Sequence, residues 1–373
     1  MAVTTRTESS LASGSVRTDL PEERKPRAVL FWAGLGVCFI AIEAVAVFRW
    51  IATGQDKSTP VGPSKVPTWM KWELNTFEAV GLVALVAFLY YFLIRPWRRE
   101  GHITTDGLLC VVFFLFIPWQ DTGLNYFQTW STYNSYLINR GAWDTHILGW
   151  LSPHSNLTPE PLVWVVPIYL YCVLGGAILG CGVMRKAKAR WPRMSPIGLV
   201  LTCLVFFVVW DAILEPIFLL MGIYTYPGAI PWLTIFHGHY YQYPVYEALM
   251  AGAWWTAFAC ARYFKDDKGQ TLAERGIDRV RLKGGKRTGL RLLAFVGIMN
   301  SAFLVYNIPA AYMGLYAGPW PKDITSRSYL TDGACGPGTN FACSGPSVPI
   351  PRPESNRIGL HGGVVNSFGK AVP

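Results

Sequence analysis

Long apolar runs separated by short polar loops dominate this chain of 373 residues. A helix needs about 20 apolar residues to cross a hydrocarbon core, because it rises about 1.5 Å per residue. The pattern therefore predicts an all-α fold class, a polytopic transmembrane helical bundle with seven spans. The spans are expected at roughly 28–51, 72–94, 106–125, 160–184, 196–220, 244–264 and 289–316.

The two ends of the chain differ from this pattern. Residues 1–27 are polar, mixed in charge and without an apolar core, which predicts a disordered cytoplasmic tail and no cleavable signal peptide. The seven-helix domain would then occupy 28–316, followed by an extracytoplasmic tail at 317–373. About the last thirty residues of that tail are rich in Pro, Gly and Ser, so we expect them to be disordered.

The fifth run, 196–220, contains two acidic residues. Asp211 and Glu215 lie four residues apart and share one helix face, and Pro216 follows directly and favours a kink. A carboxylate deep in hydrocarbon costs about 2.5–3.5 kcal/mol on insertion scales. One interpretation is that the pair joins packed helices. The favoured interpretation is that it lines a polar cavity where chemistry or binding takes place.

Composition and charge fit a membrane protein. With 51% hydrophobic and 15% charged residues, a soluble enzyme is excluded. The net charge of +10 does not indicate a nucleic-acid partner, because the basic residues cluster in alternate short loops. Ten lie between Arg262 and Arg291, whereas 126–159 contains only Arg140 and 221–243 contains none. The chain is therefore predicted to lie in the cell (plasma) membrane, with its N-terminus on the cytoplasmic side and its C-terminus on the outer side.

Depth along the spans brings further acidic residues together. With this orientation, Asp121 and Asp211 each lie about 22 Å from the inner edge of the bundle, fifteen residues into their spans. Glu215 is one turn farther out, and Glu247 lies near the outer entrance of the sixth span. These four carboxylates are the candidate catalytic residues of a cavity in the extracytoplasmic half.

Two outer loops, 126–159 and 221–243, are rich in aromatic and polar residues. They predict an ordered cap over the cavity, although aromatic residues at a membrane surface would give a similar composition. Asn300 and Asn307, seven residues apart, share a face of the last span. The candidate substrate-binding residues are Asn125, Gln128, Tyr133, Asn134, Asn139, Arg140, Trp143, Tyr226, Asn300 and Asn307.

The cysteines and histidines predict one disulfide and no metal site. Cys335 and Cys343 flank a Gly/Pro-rich stretch of the outer tail, so we expect them to pair. His237 and His239 are too few and too closely spaced to indicate a metal centre. The sequence contains no P-loop, no dinucleotide-binding motif and no nucleophile elbow, and no cofactor is expected.

Several long segments resemble a known family. They are LNYFQTW (124–130), YNSYLINRGAW (133–143), YFKDDKGQTLAERGIDRV (263–280) and SRSYLTDGACGPGTNFACSGP (326–346). Together they resemble the AveC-like spirocyclases of avermectin-type polyketide biosynthesis. The resemblance implies a membrane enzyme that closes a dihydroxy-ketone into a spiroketal, with removal of water from the ring in some members.

The expected mechanism is acid–base catalysis by carboxyl groups. Asp211 and Glu215 would supply the acid and the base, with Asp121 and Glu247 as alternatives for either role. The expected partners are a lipophilic small-molecule substrate and membrane lipid, and the oligomeric state stays open. A transporter or proton-coupled carrier of a lipophilic metabolite would also use carboxylates within a membrane, and a lipid-binding scaffold is a third possibility.

The topology can be tested directly with reporter fusions. Fusions at Lys188 and Lys283 should report the cytoplasm, and fusions at His237 and Cys343 should report the outside, because basic loops stay in the cytoplasm. A cytoplasmic signal from the Cys343 fusion would contradict the predicted orientation.

Overall fold

The structure is a computed structural model that describes residues 27–152, 155–331, 335, 343, 357–358, 362–365 and 371. The predicted disordered segments at 1–27 and in the last thirty residues fall almost entirely outside this described part.

In the described part of the chain, seven main helices form the bundle. In chain order they are α1 (Arg27–Ala52), α2 (Thr68–Glu100), α3 (Thr105–Leu115), α4 (Leu162–Arg190), α5 (Pro196–Met221), α6 (Tyr246–Tyr263) and α7 (Gly284–Gly314). Two short helices follow, α8 (Lys322–Thr325) and α9 (Ser328–Thr331). The predicted helical class is confirmed.

Five of these helices are long and apolar enough to cross a membrane: α1, α2, α4, α5 and α7. A sixth candidate is a bent pair, α3 and the following 3₁₀ helix Pro118–Asn125, which meet at 49°. Pro118 begins the 3₁₀ helix and lacks a backbone donor, which favours the break between α3 and this helix. Helix α6 coincides with the predicted sixth span but does not meet the same test of length and hydropathy.

Helix α5 begins and ends with standard caps. The hydroxyl of Ser195 accepts a hydrogen bond from the backbone N–H of Gly198 at 3.1 Å, and Gly222 follows the last residue with a left-handed φ of 72°. The helix runs without a break through Pro216. Both α2 and α4 contain a π-helical turn, at Leu89–Ile94 and Tyr169–Leu174.

Helices α1 and α7 pack along much of their length. They approach closely because Gly36 and Gly297 lie at the crossing. A Cβ on Gly36 would overlap the carbonyl of Leu293, and one on Gly297 would overlap the carbonyl of Trp32. Small residues at helix crossings allow this kind of backbone contact in membrane proteins.

The two ends of the bundle are built differently. At one end, ion pairs join the helices: Arg262 lies 2.8 Å from Asp106, and Arg291 lies 2.6 Å from Glu274. At the other end, the loops form a cap of short 3₁₀ turns and antiparallel strand pairs. The strands of the described residues are β1 (Thr132–Tyr133), β2 (Arg140–Gly141), β3 (Pro159–Glu160), β4 (Tyr224–Thr225), β5 (Thr234–Ile235), β6 (Tyr243–Pro244), β7 (Arg357–Ile358) and β8 (Val364–Val365).

Among the described residues, three strand pairs lie in the cap and a fourth, β7 with β8, lies in the tail. Strand β1 pairs with β4, β2 with β3, β5 with β6 and β7 with β8. The first pair joins the two predicted cap loops and sets Tyr133 opposite Tyr224. In the tail, Cys335 and Cys343 form a disulfide.

The α1–α7 crossing gives a stability prediction with a matched control. Gly36→Ala should lower the free energy of unfolding by about 1–3 kcal/mol, because its methyl group would overlap the backbone of α7. Gly34→Ala, two residues earlier in α1 and with open space around it, should leave stability unchanged or slightly higher. Thermal unfolding of the detergent-purified variants measures both. Equal melting temperatures for the two variants would contradict the close crossing.

Candidate active site

A cavity of about 110 Å³ lies among α4, α5, α6, α7 and the 3₁₀ helix, beneath β1 and β4. Its lining contains the four carboxylates singled out from the sequence, which arrive from three different elements. Asp211 and Glu215 come from α5, Glu247 from the first turn of α6, and Asp121 from the 3₁₀ helix. The tertiary structure thus brings the four candidate catalytic residues to one cavity.

Each of these carboxylates accepts a hydrogen bond from a tyrosine hydroxyl. The two carboxylates of α5 have different partners: Tyr243 donates to Oδ2 of Asp211 at 3.1 Å, and Tyr226 donates to Oε1 of Glu215 at 2.5 Å. Hydrogen bonds to a charged acceptor typically contribute about 1.5–3 kcal/mol. The phenols therefore offset part of the cost of burying the two acidic side chains.

The other two carboxylates are held in the same way. Tyr306 donates to Oε1 of Glu247 at 2.7 Å. Asp121 accepts two such bonds, from Tyr169 to Oδ1 at 2.6 Å and from Tyr133 to Oδ2 at 2.9 Å. Tyr169 begins the π-helical turn of α4, a local irregularity that is frequent at functional sites.

The cap tyrosines stay protonated and act as donors. Burial, followed by the charge of Asp121, raises the pKa of Tyr133 well above its usual value. Burial, followed by the charge of Glu215, does the same to the pKa of Tyr224 and Tyr226. Tyr224 and Tyr226 are two residues apart, and both line the cavity.

The cavity lining, as described, contains no Lys and no Arg. Its walls are largely apolar, with Trp164, Phe218, Trp254 and Trp255 among them. Four acidic side chains in one such space repel one another if all are ionised. The arrangement therefore suits neutral and ionised carboxyls side by side, as general acid–base chemistry requires.

A fifth acid, Glu160, lies next to this cavity. It ends β3, is 2% exposed, and lines a side cavity of about 20 Å³ together with Asp121 and Tyr133. The carboxyl groups of Glu160 and Asp121 are in hydrogen-bonding contact. Burial, followed by the charge of Asp121, raises the pKa of Glu160 well above its usual value.

The 3₁₀ helix that carries Asp121 is fixed by two of the predicted substrate-binding residues. Oδ1 of Asn300 accepts hydrogen bonds from Nε1 of Trp119 at 3.0 Å and from Nε2 of Gln120 at 2.6 Å. Nδ2 of Asn307 donates to the carbonyl of Gln120 at 2.9 Å. Both asparagines therefore position the residues next to Asp121 and lie outside the cavity lining.

Three asparagines in or directly before the first cap loop bind backbone groups. Oδ1 of Asn125 accepts from the N–H of Trp130 at 3.0 Å, although Asn125 also lines the side cavity. Nδ2 of Asn134 donates to the carbonyl of Gly222 at 2.8 Å. Oδ1 of Asn139 accepts from the N–H of Thr59 at 2.9 Å.

The remaining substrate-binding candidates divide clearly. Tyr133 and Tyr226 line the cavity. Trp143 donates from Nε1 to the carbonyl of Trp119 at 2.8 Å, and Arg140 is exposed. Gln128 is buried without lining the cavity. The structure thus places Trp143, Arg140 and Gln128 away from the reacting space.

The sequence reasoning missed the groups that hold the carboxylates. They are Tyr169, Tyr224, Tyr243, Tyr306 and Glu160. The available signal was the excess of tyrosine in and beside the spans, since a buried phenol needs a hydrogen-bond partner. Glu160 stood at the predicted outer start of the fourth span, where an acidic residue is usually solvated.

The sequence was compared with known proteins. A family model described as "Spirocyclase AveC-like" matches residues 97–330. This match contains all four cavity carboxylates, their tyrosine partners and Glu160. No curated protein and no solved structure matches the chain.

Asp144, in the first cap loop, generates a pH prediction. Its side chain is fully buried, with Oδ1 accepting from the N–H of Thr145 at 2.7 Å, and burial raises its pKa to about 7. A raised pKa means that the folded protein must bury a charge above that pH. The contribution of neutral Asp144 to the free energy of unfolding is therefore full at low pH and is lost as the pH rises from about 4 through about 7.

Asp144→Asn keeps the acceptor for Thr145 but cannot ionise. Relative to wild type, the variant should gain about 2–3 kcal/mol of stability as the pH rises from about 5 to about 8. Thermal unfolding in detergent at the two pH values measures this, and Asp267→Asn, on an exposed loop, is the control for loss of one carboxylate. A difference from wild type that is the same at both pH values would contradict the prediction.

Proposed function

The chain belongs to the AveC-like spirocyclase family, and from this premise we propose that it is a membrane-embedded cyclase that closes a dihydroxy-ketone into a spiroketal. The observation that carries the proposal is the set of four carboxylates gathered in one aromatic-walled cavity. The substrate class is a lipophilic, polyketide-like chain with a ketone and two hydroxyl groups, one on each side of the ketone.

The proposed reaction uses the carboxyl groups as proton donors and acceptors. One hydroxyl of the substrate adds to the ketone to give a hemiketal. A neutral carboxyl protonates the hemiketal hydroxyl, which leaves as water and produces an oxocarbenium ion. The second hydroxyl attacks this cation, forms the second C–O bond and returns its proton to a carboxylate.

Asp211 and Glu215 are the central acid–base pair in this proposal. They are adjacent on one face of α5, and each has a phenol partner that tolerates either protonation state. Asp121 and Glu247 face the same space and supply further charge for the cation. The carboxyl groups are sufficient for this chemistry, so the proposal includes no cofactor.

The cavity walls determine the stereochemistry of the proposed reaction. Trp164, Phe218 and Trp254 limit how the substrate can fold around the ketone and exclude bulk water from the cation. A shaped, dry wall of this kind favours one face of the cation, and so one configuration of the spiro carbon. Loss of a further water from the ring would use the same proton donors and acceptors.

The proposal includes the setting of the site. We place the protein in the cell membrane with seven spans, the N-terminus in the cytoplasm and the cavity toward the extracytoplasmic half. The basic loops on one side and the cap of strand pairs on the other support this orientation. A lipophilic substrate would reach the site from the surrounding lipid.

Amide substitutions in α5 test the mechanism. Asp211→Asn and Glu215→Gln keep shape and hydrogen bonding but cannot exchange a proton, so each should lower kcat by about 10²–10⁴-fold. Thermal stability should be unchanged or higher, because a buried carboxylate is removed. Asp121→Asn and Glu247→Gln should behave alike, and Glu73→Gln, which is exposed on α2, is the control.

The assay is product analysis after incubating a dihydroxy-ketone with detergent-purified protein. Only an enzyme changes the covalent structure of the substrate, so the assay also separates a cyclase from a carrier. Normal turnover by both α5 variants would move the catalytic centre away from the pair. No product with wild-type protein would refute the cyclase.

A further inference from the structure

Glu160 is a buried acid for which the proposed reaction has so far no role. It does not line the main cavity, but it shares the side cavity with Asp121, which lines both spaces. Asp121 therefore lies between Glu160 and the reacting space. Tyr133 lines both spaces as well, but of the two it is Asp121 whose carboxyl group contacts that of Glu160.

The contact between these two carboxyl groups requires a proton. Oε1 of Glu160 is buried and has no hydrogen-bond partner within the described part of the chain. A carboxylate oxygen only accepts, so the two groups can be hydrogen-bonded only if one of them carries a proton. Both oxygens of Asp121 already accept phenol hydrogen bonds, from Tyr169 and Tyr133, and these favour its ionised form. The proton therefore resides mainly on Glu160 at rest.

The groups that face Glu160 reinforce this state. Asp121 and Tyr133 lie on its cavity side, and the charge of Asp144 acts on it as well. Its strand partner is Arg140, but that side chain is exposed, with Nη1 3.5 Å from the hydroxyl of Ser58. Ionising Glu160 would thus add a charge to a buried acidic surrounding.

We propose that Glu160 is a positioning residue that shares one proton with Asp121 and so makes Asp121 the acid of the reaction. This inference rests on the proposed function. The pair donates its proton through Asp121 to the hemiketal hydroxyl, the C–O bond breaks and water leaves. The doubly ionised pair faces the oxocarbenium ion until the second hydroxyl forms its C–O bond and returns a proton to Asp121. One proton leaves the pair and one returns in each cycle.

The pair would also divide the work among the carboxylates. Asp121 and Glu160 act together as the proton source for the leaving hydroxyl. Asp211 and Glu215, the central pair on α5, take the proton of the second hydroxyl and pass it to Asp121, while Glu247 stabilises the cation from another wall. A shared proton is held at higher pH than the proton of a single carboxyl group, because the second ionisation places two negative charges side by side. The enzyme would stay active toward neutral and alkaline pH for this reason.

The pH profile of kcat/KM tests the pair. Glu160→Gln leaves an amide that favours ionised Asp121. The alkaline limb of the profile, where kcat/KM falls as the pH rises, should therefore shift to lower pH by about one unit or more. Activity near pH 8 should fall about tenfold or more, while the plateau at low pH stays within a few-fold of wild type. Glu160→Asp should restore the limb in part.

Glu78→Gln is the matched control, because Glu78 is also a buried acid at the cap, where its Oε1 accepts from the N–H of Ile138 at 2.9 Å. It lines neither cavity, so its variant should keep the wild-type limb. A purely structural role of Glu160 would change stability or amplitude without moving the limb. A wild-type limb in Glu160→Gln would overturn the inference.

Infrared spectroscopy gives a readout that does not depend on turnover. Wild-type protein near neutral pH should show a protonated-carboxyl C=O band that is weaker in Glu160→Gln by the contribution of one carboxyl group. Persistence of the full band in the variant would overturn the shared proton. The band difference together with inactive wild-type protein would refute the proposed function but support the shared proton.

Discussion

The structure depends on how three buried carboxyl groups and one half-buried one, that of Glu215, are stabilised in one cavity. Burying an unpaired charge is costly, and proteins usually offset that cost with a cation or with hydrogen bonds. In this cavity the partners found among the described residues are phenols, with Tyr306 on Glu247 and Tyr169 on Asp121 as examples. A paired Arg would hold a carboxylate ionised, whereas a phenol can donate to an ionised carboxylate or accept from a neutral carboxyl group. The site can therefore exchange protons, which is what a cyclisation by acid–base catalysis needs.

This constraint also explains the cap. The carboxylates of α5 cannot obtain their phenol partners from α5 itself, so the partners come from loops that fold over the open end of the bundle. Tyr226 follows β4, and Tyr243 begins β6. Strand pairing and the asparagines of the first cap loop hold these loops in register. The cap is thus a structural requirement of the buried acids as well as a cover for the cavity.

Asp121 shows how much positioning one carboxylate needs. It lies on a short 3₁₀ helix that is bent away from α3 by a proline, and Asn300 fixes this helix from α7. Glu160 approaches it from β3 on the side away from the main cavity. An acid in a regular helix has fixed neighbours, but an acid on a bent, anchored segment can face two spaces at once. This geometry links the reacting cavity to a second carboxyl group.

The amino-acid sequence by itself determined the helical class and the position of Asp211 and Glu215 on one helix face, and it predicted a common depth for the acidic residues. These follow from the length of apolar runs, the helical period and the rise per residue, which are local properties of the chain. Depth is only one coordinate, however. The direction in which a side chain points around its helix axis depends on packing, so Glu78 at a similar depth binds the cap, while Glu247 lines the cavity. Only the tertiary structure decided the rest, because each of these contacts joins residues from distant parts of the chain. They are the tyrosine partners of the carboxylates, the contact of Glu160 with Asp121, and the hydrogen bonds by which Asn134 and Asn300 anchor other segments.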